Sequence, residues 1–109
     1  METVGIVLNV AKAKAADFER GFREMELPTW RDLHQRGLLT MATLTRMSIS
    51  TQRVRGAVQY LVVAIFATGE GHHTHDEDPR FAAWNELADT YQIEQPLVFG
   101  GETIVSAGP

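Results

Sequence analysis

Three histidines, His72, His73 and His75, stand almost together in the chain, and Asp76, Glu77 and Asp78 follow at once. Imidazole titrates near neutrality, so these side chains can take and release protons at working pH. Carboxylates beside them can fix a tautomer or raise their basicity. An enolate-forming or aldol-type step next to an apolar pocket is chemistry this set could do, which makes His72, His73 and His75 the candidate catalytic residues. A metal site is a second reading. If the preceding strand ran on, His73 and His75 would point the same way, and Asp76 or Glu77 could add an oxygen ligand. Such a set would suit Zn, Ni or Fe(II), although the spacing matches no zinc signature such as HExxH. The plainest reading is a solvated polar loop whose charges contact one another.

Other candidates could line a ligand pocket. Trp84 and Tyr91 could stack on an aromatic ligand, or could be ordinary core at helical spacing. Tyr60 could donate a hydrogen bond to a ligand carbonyl, or simply anchor its strand. Asn9 is the one strongly polar side chain in an apolar strand; it could be a pocket amide, but a strand-end residue is the simpler reading. Trp30 belongs to a long aromatic helix stripe. His34, four residues on from Trp30, reads as a packing residue. No Gly-rich phosphate loop, nucleophile elbow or paired-carboxylate signature is present.

Composition narrows the class. At 109 residues the chain is one domain, 1–109, with a modest core that pairing with a second copy would help. Apolar residues at 44% and charged residues at 22% are near the globular average, which argues against disorder. The net charge of −4 comes with no block of Lys and Arg, so phosphate-neutralising nucleic-acid binding is not expected. Arg46, Arg53 and Arg55 read as sparse and solvated. The lack of cysteine removes disulfides, thiolate metal sites and thiol nucleophiles, and fits a cytoplasmic location. The first residues lack the basic start and long apolar run of a secretory signal. The longest apolar run, Leu61–Ala67, is too short for a membrane span, so no membrane partner is expected.

The candidates need a scaffold, and the periodicity supplies one. Thr3–Ala11 alternates with period two: Val4, Ile6, Leu8 and Val10 share one face of a strand. Lys14–Arg36 reads as a helix whose stripe is Phe18, Phe22, Met25, Trp30 and Leu33. Asp17, Glu19, Arg20, Arg23 and Glu24 fall on its outer side. Pro28 predicts a kink or break near Leu27, and Gly37 is the expected C-terminal glycine. Leu38–Ile49 is a second strand, Ser48–Gly56 a polar connection, and Ala57–Ala67 a third strand apolar enough to sit centrally in the sheet. After the His-rich loop, Asp78-Pro79 is a strong helix start. The helix carries Phe81, Trp84, Leu87, Ala88 and Tyr91, and ends near Tyr91 or Gln92. Pro96–Ala107 is the last strand, with Gly100-Gly101 predicting a bulge or bend.

The order β-α-β-β-α-β is the ferredoxin-like split βαβ, an α+β fold with a four-stranded antiparallel sheet and two helices on one face. The bare face would expose the apolar third strand, so a symmetric homodimer with sheets packed face to face is expected. In element order, in its long helix bearing Phe18, Phe22 and Trp30, and in the DPRFAAW segment, the chain resembles the dimeric α+β-barrel superfamily. That group includes cofactor-independent monooxygenases of antibiotic biosynthesis, polyketide cyclases, haem-degrading enzymes and stress-responsive proteins. The resemblance implies a pocket between sheet and helices, lined from the third strand and second helix. Asn9 and Trp84 match positions used by haem-degrading members, but no histidine follows Trp84, so haem ligation there is not supported. Plant-type cyclases place a histidine near the turn into the second helix, where His72, His73 and His75 lie. The reading is a small homodimeric enzyme that needs no cofactor, a monooxygenase or cyclase acting on an aromatic or polyketide-like molecule. The alternatives are a non-catalytic binding or stress-related dimer, and a protein with a His–carboxylate metal site at His73, His75 and Asp76.

Overall fold

The computed structural model describes residues 1–108. Strand β1 (Glu2–Ala11) leads through a 3₁₀ turn (Lys12–Lys14) into α1 (Ala15–Gly21), a π turn (Phe22–Glu26) and α2 (Leu27–Gln35). Then come β2 (Leu39–Arg46), β3 (Ala57–Phe66), α3 (Gly69–Glu77), α4 (Pro79–Asp89) and β4 (Leu97–Glu102). All strand pairs are antiparallel, in the order β2-β3-β1-β4, so β1 and β3 are central and β2 and β4 are edges. This is the expected α+β, ferredoxin-like arrangement with one helix more than the sequence reading gave. No helix among the described residues is long and apolar enough to cross a membrane.

The register sorts the side chains. Val4 faces Ala64 across the ladder, Ile6 faces Val62 and Leu8 faces Tyr60, and all of these lie under the helices. Phe18, Phe22, Leu33, Trp84 and Ala88 pack down onto them as the core. The opposite face carries Val7, Leu61, Val63, Ile65, Leu97 and Phe99; the helices lie on the other side, and at one end of this face residues 47–54 line a hollow with Val7, Leu97 and Phe99.

Pro28 acts one turn before itself. It has no N–H, and its ring crowds the carbonyl four residues back. The chain relieves this by widening: Leu27 donates its N–H to the Phe22 carbonyl five residues earlier, and α2 then starts with Pro28 in its first turn. The expected kink near Leu27 is therefore a π turn. Gly37 ends the helix at φ +75°, the left-handed position expected of it.

Two expectations fail. The segment from Gly69 to Glu77 is not a loop but the helix α3. Its glycines and histidines are poor helix formers, yet His72–Asp76 and His73–Glu77 pair at i, i+4 along it. Pro79 forces Asp78 out of the helical region, to ψ 127°, which splits α3 from α4. The Asp78 side chain then accepts the Arg80 N–H at 2.8 Å and caps α4 as predicted. The second failure is β4. Its pairing with β1 runs unbroken through Gly100 and Gly101, with no bulge, because β1 supplies an uninterrupted partner.

Candidate functional site

Between the first helical segment and the sheet lies a cavity of about 290 Å³. Phe22, Leu27 and Trp30 wall it from the helical side, and Ala42 and Leu44 from β2. Phe22 and Trp30 meet edge to face with centroids 5.0 Å apart, so the aromatic wall is braced. Its polar end is built from Glu19, Arg46 and Tyr60. Tyr60, 1% exposed, donates its hydroxyl to Glu19 Oε2 at 2.5 Å, and Arg46 donates to the same oxygen. Register explains the meeting: Arg46 at the end of β2 stands opposite Tyr60 of β3.

The electrostatics follow. The Tyr60 hydrogen bond, and after it that of Arg46, hold the Glu19 carboxyl below its usual range, so it is an anion at neutral pH. Burial, then the Glu19 contact, push the Tyr60 phenol up to about 12, which keeps it a donor. Both bonds fall on one carboxylate oxygen. Arg23 also lines the cavity. Two guanidinium groups against one carboxylate favour a ligand with an acidic hydroxyl, an enol or a carboxylate.

A groove of about 370 Å³ adjoins this cavity and shares Leu27, Trp30 and Ala42 with it. His34 sits on it and holds the Leu39 carbonyl at 2.9 Å through Nδ1. A carbonyl only accepts, so Nδ1 carries the proton and a neutral ring leaves Nε2 as the free acceptor.

The sequence candidates divide. Trp30 and Tyr60 are in the wall of the cavity. Trp84 is 3% exposed and packed between Phe18 and Phe22, with centroids 5.6 Å from each; it is core. Tyr91 packs on the same core, and its carbonyl accepts from Ala11. The cavity is therefore lined by the first helical segment, β2 and Tyr60 of β3; the third strand contributes as expected, and the helix after the His-rich stretch does not. Asn9 lies on the helix-free face, where its side-chain oxygen accepts from Gln59 at 2.9 Å. It borders a separate hollow of about 710 Å³ beneath residues 47–54. Alternation along a strand puts it on the far side of the sheet from Trp84, so the two cannot share one ligand.

None of His72, His73 and His75 lines either the cavity or the adjoining groove. In a helix each residue turns about 100°, so His73 and His75 diverge instead of pointing the same way. His73 is out in solvent beside Glu77 at 3.2 Å. His75 is buried and holds Glu26 at 3.0 Å and Asp76 at 2.9 Å. His72 stacks on Phe66 and bonds Glu2. The His73–His75–Asp76 chelate does not form, and no cluster among the described residues has the makings of a metal site.

The residues the sequence reading missed are Glu19, Arg23 and Arg46 on the cavity and His34 on the groove, which it read as packing. Glu19 and Arg23 were assigned to the outer side of the helix and Arg46 to solvent. Glu19 lies three residues before Phe22 and one turn from Arg23, so the spacing was readable. Arg46 needed the β2–β3 register.

A four-stranded antiparallel sheet with its helices on one face is the ferredoxin-like α+β fold, here with a cavity between the two layers. Neither a protein-family model nor a curated protein sequence matches the chain. Solved structures match it from end to end. One from Caulobacter crescentus, provisionally named an antibiotic biosynthesis monooxygenase, has a TM-score of 0.78 at 21% identity, over 95% of this chain and 90% of that one. Another of that name, from Nitrosomonas europaea, has a TM-score of 0.77 at 10% identity, over 96% and 100%. HapK from Hahella chejuensis has a TM-score of 0.72 at 19% identity, over 100% and 98%. At such identities the likeness is one of fold.

Proposed function

We propose that the protein is a homodimeric, cofactor-independent monooxygenase or cyclase that takes a small aromatic or polyketide-like molecule into the Trp30 cavity. The observation that carries this is the Tyr60–Glu19–Arg46 set closing an aromatic-walled cavity, in a fold shared with structures named as monooxygenases. A ring would lie along Phe22 and Trp30, its acidic hydroxyl or carbonyl toward Tyr60 and the guanidinium groups. His34 Nε2, on the adjoining groove, is the candidate base. In the oxygenase reading a ring methylene gives up two hydrogens, O₂ supplies one atom as the new carbonyl, and the other leaves as water. That balance needs no external reductant.

The partner copy would cover the helix-free face. Leu97 and Phe99 on that face are 42% and 62% exposed, and Ile104 and Val105 beyond β4 are 88% and 84% exposed. An apolar area of this extent on a lone chain favours association.

A non-catalytic binding dimer is the second reading. It is favoured by the engagement of Glu19, whose Oε2 is already held by both Tyr60 and Arg46. One experiment separates the two. The protein is mixed with a panel of hydroxylated polycyclic aromatics while Trp fluorescence and dissolved oxygen are followed. Quenching with oxygen uptake that His34→Gln abolishes supports the oxygenase, and quenching with product isomerisation but no uptake supports the cyclase. Quenching alone supports the binding protein. No quenching by any member, or quenching unchanged in Tyr60→Phe and Arg46→Ala, overturns the site.

A further inference from the structure

The helix α3, sequence GEGHHTHDE, contains no aliphatic or aromatic hydrocarbon side chain, yet it is docked on the body of the protein. Only Gly71 and His75 are buried within it. Gly71 permits a close approach: a Cβ there would come within 2.5 Å of the Leu38 carbonyl oxygen. Hydrophobic burial, which docks most helices, is nearly absent here. Besides ring contacts of His72 with Phe66 and of His75 with Phe66 and Phe81, two imidazoles reach carboxylates on other elements, His72 to Glu2 of β1 and His75 to Glu26 of the π turn.

The His75 contact has a particular proton requirement. Its side chain is 10% exposed and that of Glu26 is 6% exposed. Both ring nitrogens face carboxylate oxygens, Nε2 to Glu26 at 3.0 Å and Nδ1 to Asp76 at 2.9 Å. A neutral imidazole has one N–H, so it can satisfy one of these contacts and would turn a lone pair toward the other. The pair needs one proton more than a neutral ring supplies, carried either by the ring or by Glu26. The other oxygen of Glu26, Oε1, is buried without a partner, which makes an unpaired carboxylate there costly.

We propose that the Glu26–His75 contact is a protonation-dependent latch: with the extra proton in place α3 stays docked on the π turn, and when the proton leaves, α3 lets go. The other charges around it do not supply a substitute. Asp76 on α3 and Asp78 at the start of α4 are both negative, and Arg80 is already held by Asp78 and Asp32. From β3 and α4 the ring meets only Phe66 and Phe81. The direction of the titration agrees. Burial raises the Glu26 carboxyl, with His75 opposing. Burial works against charge on His75, but Glu26 and then Asp76 outweigh it and raise the ring. The folded state thus binds more protons than the unfolded one. Stability from His75 is complete below its unfolded value of 6.5 and is lost as pH rises through the folded value.

Amide hydrogen exchange, corrected for intrinsic base catalysis, tests this on the full chain. Between about pH 6.5 and the folded value, opening of α3 should grow by about tenfold per pH unit for the one proton released, while β1 and β3 stay unchanged. Glu26→Gln separates the latch from mere packing. The Gln amide can donate to the lone pair of a neutral His75, so α3 should stay protected with no pH slope. A flat wild-type profile, or the same slope in Glu26→Gln, overturns the proposal. Should that variant not fold, the His75 ring ¹⁵N and Glu26 carboxyl ¹³C titrations of the wild type decide, since either group can carry the extra proton. Loss of the extra proton at or below pH 6.5 overturns the latch; retention well above it supports it.

Discussion

Replacing Tyr60 with Phe removes one hydroxyl and leaves the ring, which packs on Phe18 with centroids 4.7 Å apart. No cavity of consequence opens, so the measured change belongs to the hydrogen bond with Glu19. A hydrogen bond to a charged acceptor contributes about 1.5–3 kcal/mol, and Arg46 remains to hold the carboxylate, so the expected loss is about 2 kcal/mol at pH 7. With roughly 2 kcal/mol per molar urea, the unfolding midpoint should fall by about 1 M. Chain concentration must be fixed, because association would contribute to the apparent stability. The pH dependence gives an internal control. The Glu19 carboxyl is held below its unfolded value of 4.5, first by Tyr60. A depressed carboxyl stabilises fully above the unfolded value and loses that contribution as pH falls through the folded one. Wild type and variant should therefore differ fully at pH 7 and converge as the pH drops from about 4.5 through the folded value of Glu19. A deficit below about 0.5 kcal/mol at pH 7, or one that persists undiminished in acid, would refute the assignment of Glu19 as the charged acceptor.

Three further outcomes are expected. A Cβ at Gly21 would stand 2.7 Å from Trp84 Cζ3, and that ring is wedged against Phe18 and Phe22, so Gly21→Ala should destabilise by about 1–3 kcal/mol in thermal melts. Phe99→Glu puts a charge on the helix-free face; sedimentation should show a dimer for the parent chain and a lone chain for the variant, both with native circular dichroism. Asp78→Ala should cost about 0.5–2 kcal/mol through loss of the α4 cap, whereas Asp78→Asn, which keeps a cap acceptor, should cost less by urea titration.

Strands β1 and β3 were legible because one alternates and the other runs apolar over a full strand length, whereas β2 and β4 stop at Arg46 and Glu102, short of the expected Ile49 and Ala107. The α4 start was legible because Asp78 and Pro79 each have one good place at a helix N-terminus. The helix α3 was not, since what makes it helical is pairing along its surface and tethers to Glu2 and Glu26, and neither tether is near in sequence. Pro28 announced a disturbance but not its form. A widened turn and a clean break satisfy the same missing N–H, and packing of Phe22 and Trp30 selects between them.

The histidine cluster lies away from the Trp30 cavity and its adjoining groove for a physical reason. Local density of titratable groups signals chemistry only where they converge on a space a ligand can enter, and a helix spreads consecutive side chains around its axis. Glu19, Arg46 and Tyr60 stand far apart in the sequence, yet converge because antiparallel register places Arg46 opposite Tyr60 and α1 crosses above both. Residues 72–77 are contiguous and disperse, while the cavity's polar end is scattered and meets. In this sheet-and-helix sandwich the polar end of the cavity is written across strand pairing, so its acid, guanidinium and phenol come from α1, β2 and β3 and not from the one stretch where titratable residues crowd together.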